Sequence, residues 1–471
     1  MGPIFVGAIF LLGVCALSTA SVLTLRRNAY RRLLKYDPRQ DHLLGCAFEG
    51  VEEISTECDP TGFILPELSA NTGSVCLELR LRSSARGSVL DPSIEICHGN
   101  FCDRQFFERG VCGARFLNLT RLVRAGVKTG DRVALRGFCL TWSSGTVNLH
   151  VCRESVRSDD RVLVIAPHPD DAELAAFGLY ADTRATIVTV TAGDGSDRYD
   201  SDTCGLRLSR REIARMRVLD SLIAPQLGGI PLEQILNLAY PDGKLSAMQR
   251  DRSGDFCCDC SGSLDFKTLR QLNRSHFVRD EGTCSWESLI ADLAHIIDQL
   301  KPTVVLAPHP WLDPHLDHQF TTLAVSEAMD KLNLNAGRFY FYVNHNRRSE
   351  LWPFGPSRSG VAMLPLLPGD VVGCESFYSH NLSLERQREK LVALESMHDL
   401  RDFTRQDQPS FSARLSRIRS EIAGIIHGMG SPPTSYFRRA VRPDELFFVA
   451  SFEHGRQLCA RLLGEIAGQT A

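Results

Sequence analysis

The sequence predicts an α/β protein: a Rossmann-like, mostly parallel sheet with helices on both faces, preceded by a transmembrane anchor and a small β-rich domain of sandwich or barrel type. Three observations carry this. Residues 161–166 (Arg-Val-Leu-Val-Ile-Ala) and 303–307 (Thr-Val-Val-Leu-Ala) have the near-continuous β-branched pattern of strands buried on both faces. Residues 285–300 place Leu289, Ile290, Leu293, Ile296, Ile297 and Leu300 at helical spacing and feed the second run, as a βαβ unit would. Upstream of residue 160, short segments alternate with period two between recurrent Gly, Pro and Asn turns.

In chain order, residues 3–25 carry no charge and are long enough to cross a bilayer, although Ser18, Thr19, Ser21 and Thr24 dilute the apolar run. Arg26, Arg27, Arg31, Arg32 and Lys35 follow at once, so the positive-inside rule places the rest of the chain in the cytoplasm. A cleaved signal peptide ending near Ala20 is the competing reading, but a charged segment before the apolar stretch is missing. The expected units are a membrane anchor (1–25), a basic linker (26–45), a β-rich accessory domain (46–157) and a catalytic domain (158–455). Within the accessory domain, residues 75–82 and 132–136 read as strands with one wet face, and residues 138–151 read as a hairpin interrupted by Ser143-Ser144-Gly145. Eight of the 16 cysteines lie between Cys46 and Cys152, which is how a disulfide framework looks in an oxidising compartment and opposes the cytoplasmic placement. Residues 246–284 lack periodicity and read as an insertion, a lid or a specificity loop. Within it, Cys257, Cys258 and Cys260, with Cys204 and Cys284, are a possible structural zinc set.

Length and charge bound the rest. The 471 residues leave about a third of the chain spare beyond one catalytic domain, so two folded units are expected. A formal net charge of −3 and a pI near 6.5 give no nucleic-acid signature.

Directly after the two buried runs stand Ala166-Pro167-His168-Pro169-Asp170-Asp171-Ala172-Glu173 and Pro310-Trp311-Leu312-Asp313-Pro314-His315-Leu316-Asp317-His318. Ligand crevices form where parallel strands end. Imidazole and carboxylate together suit a zinc-type divalent metal, and three protein ligands with one open position make the catalytic arrangement. Taken singly, the first run is also what a helix N-cap looks like, Asp242 in Pro-Asp-Gly suits a type I turn, and His309 reads as a turn residue. Two metal-suited clusters, each after a buried strand, favour a site over two coincident caps.

These residues resemble the PIG-L/LmbE de-N-acetylases. The first stretch resembles the family's His-Pro-Asp-Asp motif and the second its His-Pro-Asp-His motif, with Leu316 where proline is common. Residues 189–195 look like the family's second-strand turn, and Tyr240-Pro241-Asp242-Gly243 looks like its substrate-side aspartate turn. Residues 390–398 and 444–448 loosely resemble its late helix and closing strand. Two departures stand out: Ala175-Ala176 replaces the usual glycine pair, and Arg210-Arg211-Glu212 brings its arginines closer to the glutamate than usual.

The resemblance implies removal of an N-acetyl group from an amino sugar of a glycoconjugate, with Zn2+ or another divalent metal as cofactor. The chemistry assigns the same roles. Amide hydrolysis at neutral pH needs an activated water, a group to polarise the carbonyl and a proton for the departing amine. His168, Asp171 and His318 would hold the metal, Asp170 would act as general base, and His315 would steady the oxyanion. Asp317 and Glu173 would stand in a second shell, Asp317 orienting an imidazole. Asp242 and Arg211 would contact substrate. The anchor suggests a substrate presented at the membrane. Hydrolysis of a phosphoester or peptide, or a non-catalytic carbohydrate-binding membrane protein, are the alternatives. A dinucleotide-binding oxidoreductase is disfavoured, since no Gly-x-Gly-x-x-Gly follows the first buried run.

Overall fold

The computed structural model describes residues 21, 24, 25, 27, 28, 30–44, 48, 50–69, 71–195, 208–256, 266–279, 281–398, 400 and 439–470. A first sheet contains β1 (Glu52–Asp59), β2 (Gly62–Ile64), β3 (Ser74–Ser83), β4 (Ser93–His98), β5 (Phe101–Phe106), β6 (Cys112–Asn118), β7 (Arg132–Phe138), β8 (Leu140–Trp142) and β9 (Gly145–Cys152). Its order is β5-β4-β7-β2-β1-β9-β3-β6, with β8 also on β3. The period-two reading holds on β3, where Leu77, Leu79 and Leu81 are buried and Arg80 and Arg82 exposed. Leu77 and Leu79 pack with Phe63, Val133 and Leu149 in the core beneath the sheet.

Two expectations are corrected in this part. Of the sandwich and barrel readings, two separate stacked sheets are not seen among the described residues: the strands form one continuous antiparallel sheet. Residues 138–151 form no hairpin either: β8 pairs with Leu81 to Ser83 and β9 with Ser74 to Leu77, both antiparallel to β3. The two strands therefore run in line, and Ser143-Ser144 marks a step along one edge.

The second sheet contains β10 (Val162–Ala166), β11 (Ala185–Thr191), β12 (Ile235–Tyr240), β13 (Val304–Pro308), β14 (Arg338–Tyr342), β15 (Ser376–Asn381) and β16 (Asp444–Ser451). Its order is β12-β11-β10-β13-β14-β16-β15. The expected mostly parallel sheet becomes a mixed one. Strands β12 to β14 pair in parallel, whereas β16 pairs antiparallel with both β14 and β15. The connecting helices include α1 (Asp171–Ala181), α2 (Arg210–Ile223), α3 (Trp286–Leu300), α4 (Leu316–Lys331), α5 (Leu384–Ser396) and α6 (Phe452–Thr470). Helix α3 begins where the Ser285 hydroxyl accepts from Ser288 N, and it buries Leu289, Ile290, Leu293, Ile296 and Ile297. Strand order reverses between β10 and β13, so both motifs leave the sheet at a topological switch point.

The membrane reading is also corrected. Among the described residues no helix is long and apolar enough to cross a membrane, and the expected anchor at 1–25 lies mostly outside them. The segment read as a basic linker is packed against protein. Tyr30 and Leu34 bury themselves with Phe354, Leu44 joins the large core, and Arg115 donates from Nη1 to Gln40 O at 2.9 Å. The single-pass placement, the cytoplasmic side derived from it and the membrane as a partner are accordingly not supported.

Among the described cysteines of residues 46–152 one disulfide forms. Cys97 and Cys102 form a disulfide across the β4–β5 hairpin, while Cys58, Cys76, Cys112, Cys139 and Cys152 are free. Cys58, Cys76 and Cys152 fill core space as small hydrophobes. The possible zinc set falls largely outside the described residues, and Cys284 within it is disulfide-bonded.

The two sheets share a core. Phe48, Cys76, Phe116 and Cys152 belong to the same buried cluster as β10, β11 and β13. Across the junction Asn118 Nδ2 donates to Ser379 Oγ at 2.8 Å, and Ser379 N donates to Ser74 Oγ at 2.9 Å.

Candidate active site

The site begins where β10 gives way to α1. Thr191 N and Oγ1 both donate to Pro167 O at 2.9 Å, which pins the turn to β11. His168 N donates to Asp171 Oδ2 at 3.0 Å, so this carboxylate closes the turn before the helix starts. Asp170, at the N-cap position, makes no side-chain capping bond. Its backbone lies at φ 137° and ψ −28°, a region that favours glycine. Strain of this kind typically stores about 1–3 kcal/mol and clusters at functional sites. The side-chain cap expected of Asp170 is therefore absent, and its Oδ2 instead accepts from Arg217 Nη2 at 3.3 Å.

From the other motif, β13 ends at Pro308 and the chain runs to His315, which is the N-cap of α4 rather than its first turn. Asp313 organises this stretch. Its Oδ2 lies 2.9 Å from His318 Nδ1 and accepts from Asn344 N and His345 N at 3.1 Å, while its Oδ1 accepts from His315 N at 3.1 Å.

The two motifs meet at Asp171. Its Oδ2 is 3.1 Å from His168 Nδ1 and 3.2 Å from His318 Nε2. Ligands on a tetrahedral zinc at bonds of 2.0–2.1 Å stand about 3.3 Å apart, close to each of these two separations. Asp313 takes His318 Nδ1–H and leaves Nε2, a buried nitrogen with no hydrogen-bond partner, facing that position. Asp171 is steadied from behind by Asn344, whose Nδ2 donates to Oδ1 at 2.7 Å.

Electrostatics agree. Burial works against a charged His318, but Asp171 and Asp313 outweigh it and lift the pKa to about 10. Burial likewise opposes charge on His168, yet Asp242, Asp171 and Asp317 hold its pKa well above the ordinary value. Asp171 sits well below the usual carboxylate range, burial being overcome by His318 and His168. A place that draws two protons onto imidazoles is one where a divalent cation can replace them. His168, His315 and His318 also bring ligand nitrogens within 4.8 Å of one another.

The GlcNAc-PI de-N-acetylase (PIG-L) family profile matches residues 163–329, a stretch that contains both motifs. Residues 163–329 are a PIG-L family domain. No curated protein matches the chain significantly. Among solved structures, the zinc-inhibited form of teicoplanin deacetylase Orf2 is 18% identical, with 62% of this chain and 98% of that chain covered and a TM-score of 0.31. The 4-carboxy-2-hydroxymuconate hydratase GalB of Pseudomonas putida KT2440 is 12% identical, covering 62% and 95% at a TM-score of 0.32. A family two carbohydrate esterase from Cellvibrio japonicus is 9% identical, covering 63% and 90% at 0.16. Overlap this weak says nothing of substrate.

The remaining expected residues of the PIG-L domain fall as follows. His315 stands beside the ligands with its ring centroid 5.0 Å from that of His168, and burial, then His318 and His168, push its pKa down to about 4. It is therefore a neutral imidazole at neutral pH. Asp317 and Asp242 flank His168, with Oδ2 and Oδ1 at 3.3 and 3.1 Å from Nε2. Asp242 thus touches a metal-ligand candidate as well as lying at the substrate-side turn. Glu173 is buried against Tyr180 Oη at 3.2 Å, and burial, then Asp170, raise its pKa to about 8.

Arg211 is exposed at the start of α2. Arg217, six residues on and across the helix, is the arginine that enters the site. Its Nη2 donates to Pro169 O at 2.6 Å and to Asp170 Oδ2 at 3.3 Å. Gly193 makes room: a Cβ there would lie 2.7 Å from Arg217 Nε. Sequence reasoning missed Arg217 because it lies far outside the motifs. It missed the role of Asp313 because no helical or strand period links that residue to His318. The only available signal was a carboxylate inside the second motif.

The departure at Ala175-Ala176 also has an explanation. Ala176 breaks α1 at φ −141° and ψ 15°, a negative φ that alanine adopts without a glycine.

Proposed function

We propose that this chain is a metal-dependent hydrolase that removes the N-acetyl group from an N-acetylated amino sugar within a glycoconjugate. Residues 158–455 form its catalytic part and residues 46–157 its accessory part. The observation that carries this is the meeting of both motifs at the Asp171 carboxylate, with nitrogens of His168, His315 and His318 within 4.8 Å of one another beside it. The family match supplies the bond type.

Zn2+ held by those three residues would supply a Lewis acid and an acidified water. The other steps belong to the chain. Asp170 takes the proton of the attacking water and returns it to the departing amine. Arg217 keeps the Asp170 carboxylate directed into the site. The neutral His315 donates an N–H to the developing oxyanion. Asp313 fixes the His318 ring, and Asp317 with Asp242 fixes His168, so each imidazole presents one nitrogen inward. Asp242 faces the sugar, its backbone N donating to Asp194 Oδ1 at 2.9 Å.

The test is acetate and free-amine release from N-acetylglucosaminyl glycoconjugates, with bound metal measured on the same preparation. Asp170→Asn keeps the metal and loses turnover by roughly a hundred- to ten-thousand-fold. Near-normal turnover in that variant, or release of phosphate in place of acetate, would overturn the proposal.

A further inference from the structure

We propose that the buried Lys390–Glu445 pair is a positioning clamp for Asp170 and Asp171, acting through the break in α1; the roles of those two aspartates rest on the reading above. At Ala176 the helix leaves helical geometry, and the backbone groups on either side need partners from elsewhere. On the far side, Gly178 N and Leu179 N donate to Glu445 Oε1 and Oε2 at 2.9 and 3.0 Å. On the near side, Leu174 O accepts from Lys390 Nζ at 2.9 Å. The two side chains then close on each other, Nζ to Oε1 at 2.8 Å, at 1% and 2% exposure.

The charges match the helix ends they serve. A cation meets the carbonyl end of the first segment, and an anion meets the N–H end of the second. A buried ion pair is by itself weak evidence for stability, since apolar pairs of similar size often replace it without loss. This pair also satisfies three backbone groups that no apolar pair can serve. Its partners come from α5 and from the second residue of β16, so the clamp joins three elements behind the site. Only residues 172 and 173 lie between its contact at Leu174 and the metal-ligand candidate Asp171. A shift of the first segment carries Asp170 and Asp171 with it.

The experiment uses the full chain with Glu445→Gln and with the double variant Lys390→Met/Glu445→Leu. Amide exchange at Gly178 and Leu179, Zn2+ titration, melting and steady-state kinetics are read on each. Both variants exchange faster at those amides, bind Zn2+ about tenfold or more weaker, and lose kcat with KM within about twofold. If the apolar double variant does not fold, Glu445→Gln, nearly isosteric, carries the test. Folded variants with wild-type Zn2+ affinity and kcat, whatever their melting temperature, overturn the clamp. So does unchanged exchange at Gly178 and Leu179. Wild-type protein that binds no Zn2+ or releases no acetate defeats the functional reading instead, and the exchange measurement still decides the clamp.

Discussion

Asp313 shows how much a single buried carboxylate can decide. It touches His318 Nδ1 and receives three backbone N–H groups around the site, with no exposure of its own. Replacing it by Asn frees the His318 tautomer, and metal affinity should fall about 10- to 100-fold in a Zn2+ titration. Asp170 offers a different test at the same scale. Asp170→Gly and Asp170→Ala both delete the carboxylate, but only glycine relieves the backbone at φ 137°. The glycine variant should be the more stable by about 1–2 kcal/mol in denaturant melts, with both inactive. Equal stabilities would mean the backbone carries no strain there. His309, read as a turn residue, is buried, with Nε2 2.9 Å from Val372 O and Nδ1 facing Trp311 N and Leu312 N. Burial pushes its pKa down to about 4. Between pH 6.5 and 4 the unfolded chain binds a proton at this residue that the folded chain does not. Stability from this group is therefore full above about pH 6.5 and lost as pH falls toward 4, by up to about 3 kcal/mol. Comparing melting curves of wild type and His309→Gln across that window isolates it, since the variant should show the shallower slope.

At the scale of elements, the periodic segments were legible and the irregular ones were not. Residues 285–300 show apolar side chains at helical spacing and an N-cap serine, and α3 follows that pattern nearly to the residue. Residues 162–166 of the run at 161–166 form a strand buried along its whole length. Residues 138–151 misled because local alternation fixes strand character but not the partner strand. Break and packing in α1 were likewise invisible. Gly178 lies against Leu382, and an added Cβ would stand 2.5 Å from its Cγ. Gly178→Ala should destabilise the protein by about 1–3 kcal/mol through overpacking, measured by thermal melting, although alanine is the better helix former. A stabilised variant would show that this contact can relax.

For the whole molecule, the spare N-terminal third is part of the catalytic body. Phe48, Phe116, Cys76 and Cys152 fill the same core as the catalytic strands, and Ser379 on β15 bonds to both Ser74 and Asn118. A chain beginning at residue 158 should lose cooperative melting or melt far lower than the full chain, because apolar core residues would be left facing water. Independent melting of the two parts would show the shared core to be dispensable.

By itself the sequence determined the chemistry available and where along the chain it sits: the His and Asp types suit a divalent metal, and the buried runs before them place them at strand ends. It could do so because side-chain chemistry and hydrophobic period are local properties. Tertiary structure decided the partners. Asp313 reaches His318, Arg217 reaches Asp170, and Lys390 meets Glu445 across a helix break only because strand order and packing bring distant segments together. The direction of β16 and the packing of residues 30–44 were decided the same way. No period or composition encodes which surface a segment will find.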